Sequence, residues 1–247
     1  MRAMKGNLGG LVAAGLLILG LHAGTARSSG LDGAMLAATA TPETAWTLTD
    51  ATTQENSQKQ DFAIVIHRPV LAPASAAFNA AIQKITDSAA TSFKQFVATS
   101  TGGPGVTSTL TIDYDVMVIR QRLVSVRFSI LQYVNGMAHP SLTAVSVNFD
   151  RGTDKVLALA DLFKSNAKYL EALAKYCSAD LMRQGRLSFP EGAAAKAENY
   201  AAWNLDRAGL LITFDPATVV ASAAGPSVVL VPYTALDDLL GTTVPVF

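Results

Sequence analysis

Three runs of alternating apolar and polar residues, set close together and separated by short polar turns, constrain this chain more than any other feature. Leu110, Ile112, Tyr114, Val116 and Val118 form the first run, Val124, Val126, Phe128 and Ile130 the second, and Thr143, Val145, Val147 and Phe149 the third. A period of two places every second side chain on one face of an extended strand. Arg120-Gln121-Arg122 reads as a polar hairpin tip between the first two runs. Asp150-Arg151-Gly152 closes the third, with Val156–Leu159 returning from it. Links this short imply antiparallel pairing, because parallel neighbours need a long crossover.

Helical spacing brackets this centre. After a possible cap at Ser75, Phe78, Ile82, Ile85, Ala89, Phe93 and Phe96 recur in steps of three and four, the stripe of an amphipathic helix. Gly102-Gly103-Pro104-Gly105 stops it, since Gly and Pro continue a helix only at a cost. A second helix is expected over 165–184, with Leu170, Leu173, Cys177 and Leu181 on one face and Gly185 at its end. Trp203–Leu205 and Leu210–Phe214 read as a hairpin turned by Asp206-Arg207-Ala208-Gly209; Val228–Val231 reads as the last strand and 233–240 as a closing helix. Strands in runs with helices set apart define an α+β class. The expected architecture is an antiparallel sheet with helices packed on it, a single compact domain built from two consecutive submodules. Those are a strand–helix unit over 61–105 and a C-terminal unit over 106–247.

The N-terminus reads differently. Arg2 and Lys5 precede an uncharged apolar run from Leu8 to Leu21, followed by small residues at Gly24 and Ala26. A bilayer span takes roughly 20 apolar residues, and this run is shorter, so 1–26 is expected to be a cleaved signal peptide. Residues 27–60, rich at first in Ser, Gly, Ala and Thr, are expected to be a flexible tether with a first strand starting around Trp46. Without residues 1–26 the chain keeps 17 basic and 19 acidic residues, which gives no long-range attraction to nucleic acid or anionic lipid. The expected location is the periplasm or outside the cell, with no membrane span after cleavage. The one cysteine, Cys177, excludes an intramolecular disulfide.

Catalytic and metal signatures are sparse. The sequence contains no G-x-S-x-G elbow, no H-E-x-x-H and no D-x-D-x-D-G loop, so no metal site and no cofactor are expected. Asp113 and Asp115 lie two apart on one strand and read as a solvated face. Tyr133, Trp46 and Trp203 are candidates for stacking on sugars, with core packing the simpler reading for Trp203. His139 sits in the loop Asn135-Gly136-Met137-Ala138-His139-Pro140, where Pro140 restricts it to extended geometry. It reads as a histidine bonded to backbone, with a general base as the alternative.

Tyr133–Pro140, then Asn148-Phe149-Asp150, then Val156–Phe163 together resemble the RsiV-like domain family. That family comprises the extracellular domain of lysozyme-sensing anti-sigma factors and occurs also in a peptidoglycan deacetylase and in the secreted mycobacterial antigen 64. Gly209–Pro216, Ala224-Gly225 and Val231-Pro232-Tyr233 extend the likeness, and Phe62–Pro69 with Phe78-Asn79 resembles the module preceding it. Met137 stands where the family has a second loop glycine, and residues 217–224 hold none of the tyrosines usual there. The resemblance implies an exported, non-catalytic envelope binding module whose partner is a muramidase-like protein or peptidoglycan. The expected contact residues are Tyr133, Asn135, Gly136, Met137, His139, Pro140, Asp215, Pro216 and Gly225. An envelope-acting hydrolase using His139 and a structural domain of an envelope assembly are the alternatives.

Overall fold

The structure, a computed structural model, describes residues 47–242 apart from Pro104 and Gln121. The expected leader, most of the tether and Trp46 lie outside the described residues. Strands β1 (Thr47–Ser57) and β2 (Phe62–Ala72) form a hairpin. Helix α1 (Ala76–Thr99) follows, then β3 (Ser108–Arg120), β4 (Leu123–Tyr133), β5 (Ser141–Asp150) and the short β6 (Lys155–Val156). These six strands make one sheet in sequence order. Helix α2 (Tyr169–Arg183) leads to β7 (Trp203–Leu205), β8 (Gly209–Phe214) and β9 (Ser227–Pro232), a second, antiparallel sheet of three.

The α+β class read from the sequence stands, with differences in detail. One pair, β2 with β3, is parallel, Phe62 facing Ser108 and Ile66 facing Ile112. The helix α1 between them is the long crossover that parallel pairing requires. Strand β1 takes up Thr47–Ser57 of the 27–60 segment, where a first strand was expected to start around Trp46. It lies at the sheet edge and is largely exposed, so its TLTDATTQENS sequence needs no apolar alternation, and polar residues there discourage further pairing. On α1, Ser75 caps the first turn by accepting from the Phe78 amide, as expected. Phe78, Ile82 and Phe93 are buried, but the last residue of the stripe, Phe96, is 55 % exposed, and Thr86 is buried in its stead. Helix α2 starts at Tyr169, later than expected. The Ala-rich segment after it forms 3-10 turns at Pro190–Ala193 and Ala197–Tyr200, and the closing helix shrinks to a 3-10 turn, Tyr233–Ala235.

Two clusters of buried side chains lie on opposite faces of the large sheet. In the first, Phe78, Ile82 and Phe93 of α1 pack with Phe62, Ile64, Leu110, Ile112, Val126, Phe128 and Phe149. In the second, Leu173, Cys177 and Leu181 of α2 pack with Trp203, Leu205, Ile212, Phe214 and Val229. Consecutive residues of β4 serve both, Leu123 the second and Val124 the first, because side chains alternate across a strand. A division at 105/106 therefore does not separate the cores: β3, β4 and β5 complete the cluster begun by β2 and α1.

Where β7 meets the large sheet, the polar side of the alternation is buried rather than solvated. Ser125, Asn148 and Asn204 are 0–2 % exposed. The Ser125 hydroxyl donates to Asn148 Oδ1 (2.7 Å), and Asn148 Nδ2 donates to the Trp203 carbonyl (2.7 Å). Asn204 Nδ2 donates to Ser125 Oγ and to the Val126 carbonyl, both at 3.0 Å, while Asn204 Oδ1 accepts from Ser146 (2.8 Å). The Leu205 amide donates to Ser125 Oγ and Asn148 Oδ1. Buried polar groups are tolerated when satisfied in this way, and they fix the register of the two sheets.

Candidate functional site

The two loops expected to make contact lie 70 or more residues apart in sequence and converge in space. The β4–β5 loop and the β8–β9 loop enclose a cleft of about 830 Å³. His139, Pro140, Ser141 and Leu142 form one wall; Pro216, Ala217, Ser222, Ala223, Gly225 and Pro226 form the other. His139 is exposed, and its Nδ1 lies 2.9 Å from the Pro140 carbonyl oxygen. A carbonyl only accepts, so Nδ1 carries the proton and the neutral ring keeps its lone pair on Nε2. Among the described residues that is the one hydrogen bond of His139. The lining has no Asp, Glu, Lys or Arg.

Asp215 stands behind this wall instead of in it. Its Oδ1 accepts from the Ala144 amide (2.8 Å), an outward-facing group of β5, which ties the β8–β9 loop to the large sheet. Burial raises its pKa above the usual 3.8, and the Ala144 bond offsets part of that rise. A carboxyl harder to ionise in the folded than in the unfolded chain favours the fold most at low pH, and its contribution falls as pH rises through the raised folded value. Asp215→Asn keeps an acceptor for Ala144 and removes the charge. Urea unfolding at pH 7 should find it at least as stable as the wild type, with any advantage fading below pH 4. Asp215→Ala strands the amide and should cost about 1–2 kcal/mol; equal loss in both variants would contradict this account.

The other expected residues divide. Asn135, Gly136 and Met137 line a neighbouring groove of about 390 Å³ together with Phe96, Thr99 and Gln132, on the α1 side of the same loop. Asn135 is mainly a tie: its Nδ2 donates to the Gly103 carbonyl (2.6 Å), its amide donates to Ser108 Oγ (3.0 Å), and its carbonyl accepts from Ser100 Oγ. Gly136 has φ +99°, which a side chain would strain. Met137 is 39 % exposed and offers an apolar tip. Tyr133, half-buried at the end of β4 opposite Thr109, lines neither cavity.

The histidine with acidic partners is the other one. His67 Nδ1 lies 3.2 Å from Asp50 Oδ2 and 3.1 Å from Thr52 Oγ1, with Nε2 3.8 Å from Asp113. The bonds from His67 and Thr52 hold the Asp50 carboxyl below its ordinary pKa. These groups sit on an exposed part of the sheet, where solvent screens ion pairs, and they line neither cavity. Asp115 pairs with Arg127 (2.8 Å), so Asp113 and Asp115 face different neighbours, His67 and Arg127. Cys177 is fully buried, and burial pushes its thiol up to about 12, which removes it as a nucleophile. Trp203 is 5 % exposed, a core residue. Among the described residues no group of three or more His, Cys, Asp or Glu is placed to hold a metal ion, and no helix is long and apolar enough to cross a membrane.

Residues 160–234 match the family model described as a protein of unknown function, DUF3298. The matched stretch takes in α2 and the second sheet, and so the Pro216–Pro226 wall of the cleft, while the His139 wall lies ahead of it. Over 136 residues the chain is 25 % identical to the peptidoglycan-N-acetylmuramic acid deacetylase PdaC of Bacillus subtilis, which covers 53 % of this chain and 29 % of that protein. It is 26 % identical over 107 residues to the immunogenic protein MPT64 of Mycobacterium tuberculosis, covering 42 % and 47 %. The chain thus spans less than half the length of either relative. A solved DUF3298 protein from Pseudomonas aeruginosa superposes with a TM-score of 0.57 at 15 % identity, over 80 % of this chain and 94 % of that one. A DUF3298 member from Bacteroides fragilis gives 0.55 at 12 % over the same shares. The two solved structures share the fold of this chain, and the matches together agree with the resemblance to the RsiV-like family.

Sequence reasoning missed Ser141, Leu142, Ala217, Ser222, Ala223 and Pro226 of the lining. Their small, neutral side chains carry no chemical signature, and only the neighbours Pro140, Pro216 and Gly225 pointed to them.

Proposed function

We propose that this protein is an exported, non-catalytic binding module of the cell envelope that takes a peptidoglycan-like glycan in the cleft between His139 and Gly225. The observation that carries this reading is the convergence of two distant loops on a cleft without charged side chains. An uncharged, N-acetylated sugar enters such a lining without stranding a charge, whereas an ammonium or carboxylate would lose water and gain no partner. Pro140, Leu142, Pro216, Ala217 and Pro226 supply apolar contact, and His139 Nε2 supplies one directed acceptor for a hydroxyl or amide N–H. The relative named as a peptidoglycan-N-acetylmuramic acid deacetylase supports the same ligand class. A cationic muramidase would gain no electrostatic steering from this lining. A catalytic His139 would need an acid or nucleophile in reach, and its bond to the Pro140 carbonyl supports an orienting role instead.

Sedimentation with purified peptidoglycan tests the proposal. The protein from residue 27 onward should co-sediment, and His139→Ala should weaken the apparent affinity about tenfold, the scale of one hydrogen bond lost in a partly enclosed site. No soluble sugar fragments should appear. Failure of the wild type to bind would end the glycan reading, and heat released on titration with lysozyme would replace the glycan by a protein partner.

A further inference from the structure

Among the described residues no carboxylate pairs with Arg186, whose guanidinium makes four contacts to the far wall of the cleft and the residue after it. Its Nε donates to Ser227 Oγ at 2.9 Å. Its Nη2 faces three successive carbonyls, Ala224 at 2.7 Å, Gly225 at 3.2 Å and Pro226 at 2.8 Å. Gly225 and Pro226 line the wall opposite His139, Ala224 lies between two of its lining residues, and Ser227 follows it. A guanidinium is suited to this: it is planar, permanently charged, and its donors leave in fixed directions.

Two features aim it. Helix α2 ends in a Schellman turn, where the Gly185 amide donates to Met182 O (3.0 Å) and the Arg186 amide to Leu181 O (2.8 Å), with Gly185 at φ +67°. Just beyond, the Ser188 and Phe189 amides both donate to Val219 O, so the stretch 186–189 holds the loop near its middle and at its end. The wall itself needs holding. Gly225 has φ +70° and ψ −170°, a conformation costly for other residues, and Ala217 sits at φ +65°, left-handed in spite of its Cβ. Backbone of this kind persists only where its surroundings over-determine it.

We infer that Arg186 is a positioning residue, which sets the 222–226 wall of the cleft and thereby its shape for a ligand. The inference rests on the proposed binding role of that cleft for its consequence, though not for its geometry.

Amide hydrogen exchange of the ligand-free protein from residue 27 onward is the deciding measurement, with Arg186→Met and Arg186→Lys beside the wild type and Arg183→Met as control. Arg183 lies three positions earlier, is exposed, and among the described residues reaches only Asp180. Arg186→Met should raise exchange at residues 221–227 at least tenfold and leave α2 and β8 unchanged. Arg186→Lys, a single donor head against four acceptors, should restore part of the protection, and Arg183→Met should change nothing there. Peptidoglycan affinity should follow the same order. Unchanged exchange at 221–227, or a rise spread evenly over the protein, would overturn the inference, as would loosened exchange with affinity intact. The exchange arm needs no ligand, so it decides on Arg186 even if the wild type binds no glycan, a result that would remove the binding reading alone. If the Met variant does not fold, Arg186→Lys combined with Ser227→Ala decides by the same pattern.

Discussion

Asn204→Ala is expected to cost about 3–5 kcal/mol, a shift of roughly 6–20 °C in melting temperature for a chain of this size. The side chain is fully buried and takes part in three of the bonds that close the seam: two given by Nδ2 and one accepted by Oδ1 from Ser146. Truncation takes the amide donor from the buried Val126 carbonyl and the acceptor from the half-buried Ser146 hydroxyl, and a buried group left unsatisfied costs about 1–3 kcal/mol. The cavity adds to this. Asn204→Asp keeps the size but sets a carboxylate against the Val126 carbonyl, and should be at least as damaging at neutral pH. Urea unfolding followed by tryptophan fluorescence reads both, since Trp203 lies next door. A loss below about 1 kcal/mol would mean that water replaces the amide, and that the seam is not dry.

Gly209→Ala is the second large effect, at about 3 kcal/mol. The position opens β8 opposite Pro232, and a Cβ there would overlap the Val231 carbonyl oxygen and the Pro232 Cα. Those are backbone atoms of the paired strand, so no rotamer change relieves the clash. β8 and β9 would have to part at the end where the Asp206 amide donates to the Gly209 carbonyl (2.9 Å) and the Tyr233 amide to that of Ala208 (3.2 Å). Gly185→Ala is the informative comparison. Gly185 has φ +67° but open space around it, so its cost is conformational only, about 1 kcal/mol. Thermal unfolding of the two variants should rank them in that order; the reverse would mean that the hairpin end yields easily.

Much of the secondary structure was legible because burial and periodicity coincide. Val124, Val126 and Phe128 alternate in sequence and all face α1, and Phe78, Ile82 and Phe93 return the contact. Legibility failed where a tertiary neighbour, and not the local pattern, decides. Strand β1 is exposed and polar, held by pairing with β2. The parallel pairing of β2 with β3 depends on where α1 lies, which no short window contains. Ser125 and Asn148 are polar positions of alternating strands, and only the arrival of β7 makes them interior. At the site, Gly136 and Pro140 were readable as turn chemistry and drew attention to His139, whereas Pro216 and Gly225 came from the resemblance to the RsiV-like family. Asp215 was read as a contact residue and is a tie between sheets, a role that needs Ala144 to be seen. Arg186 had no local sign at all, since its partners lie about forty positions further on.

The large sheet is a party wall, with β4 finishing one interior on each side. The stretch by which the family is recognised begins at residue 160 and so contains the second sheet without the partition it leans on. Cut free there, it would present Trp203, Asn204 and Leu205 to water, together with the Trp203 carbonyl and the Leu205 amide that Asn148 and Ser125 now satisfy. Kinship and self-sufficiency are drawn along different lines in this polypeptide, and a fragment chosen by the first should not be expected to have the second.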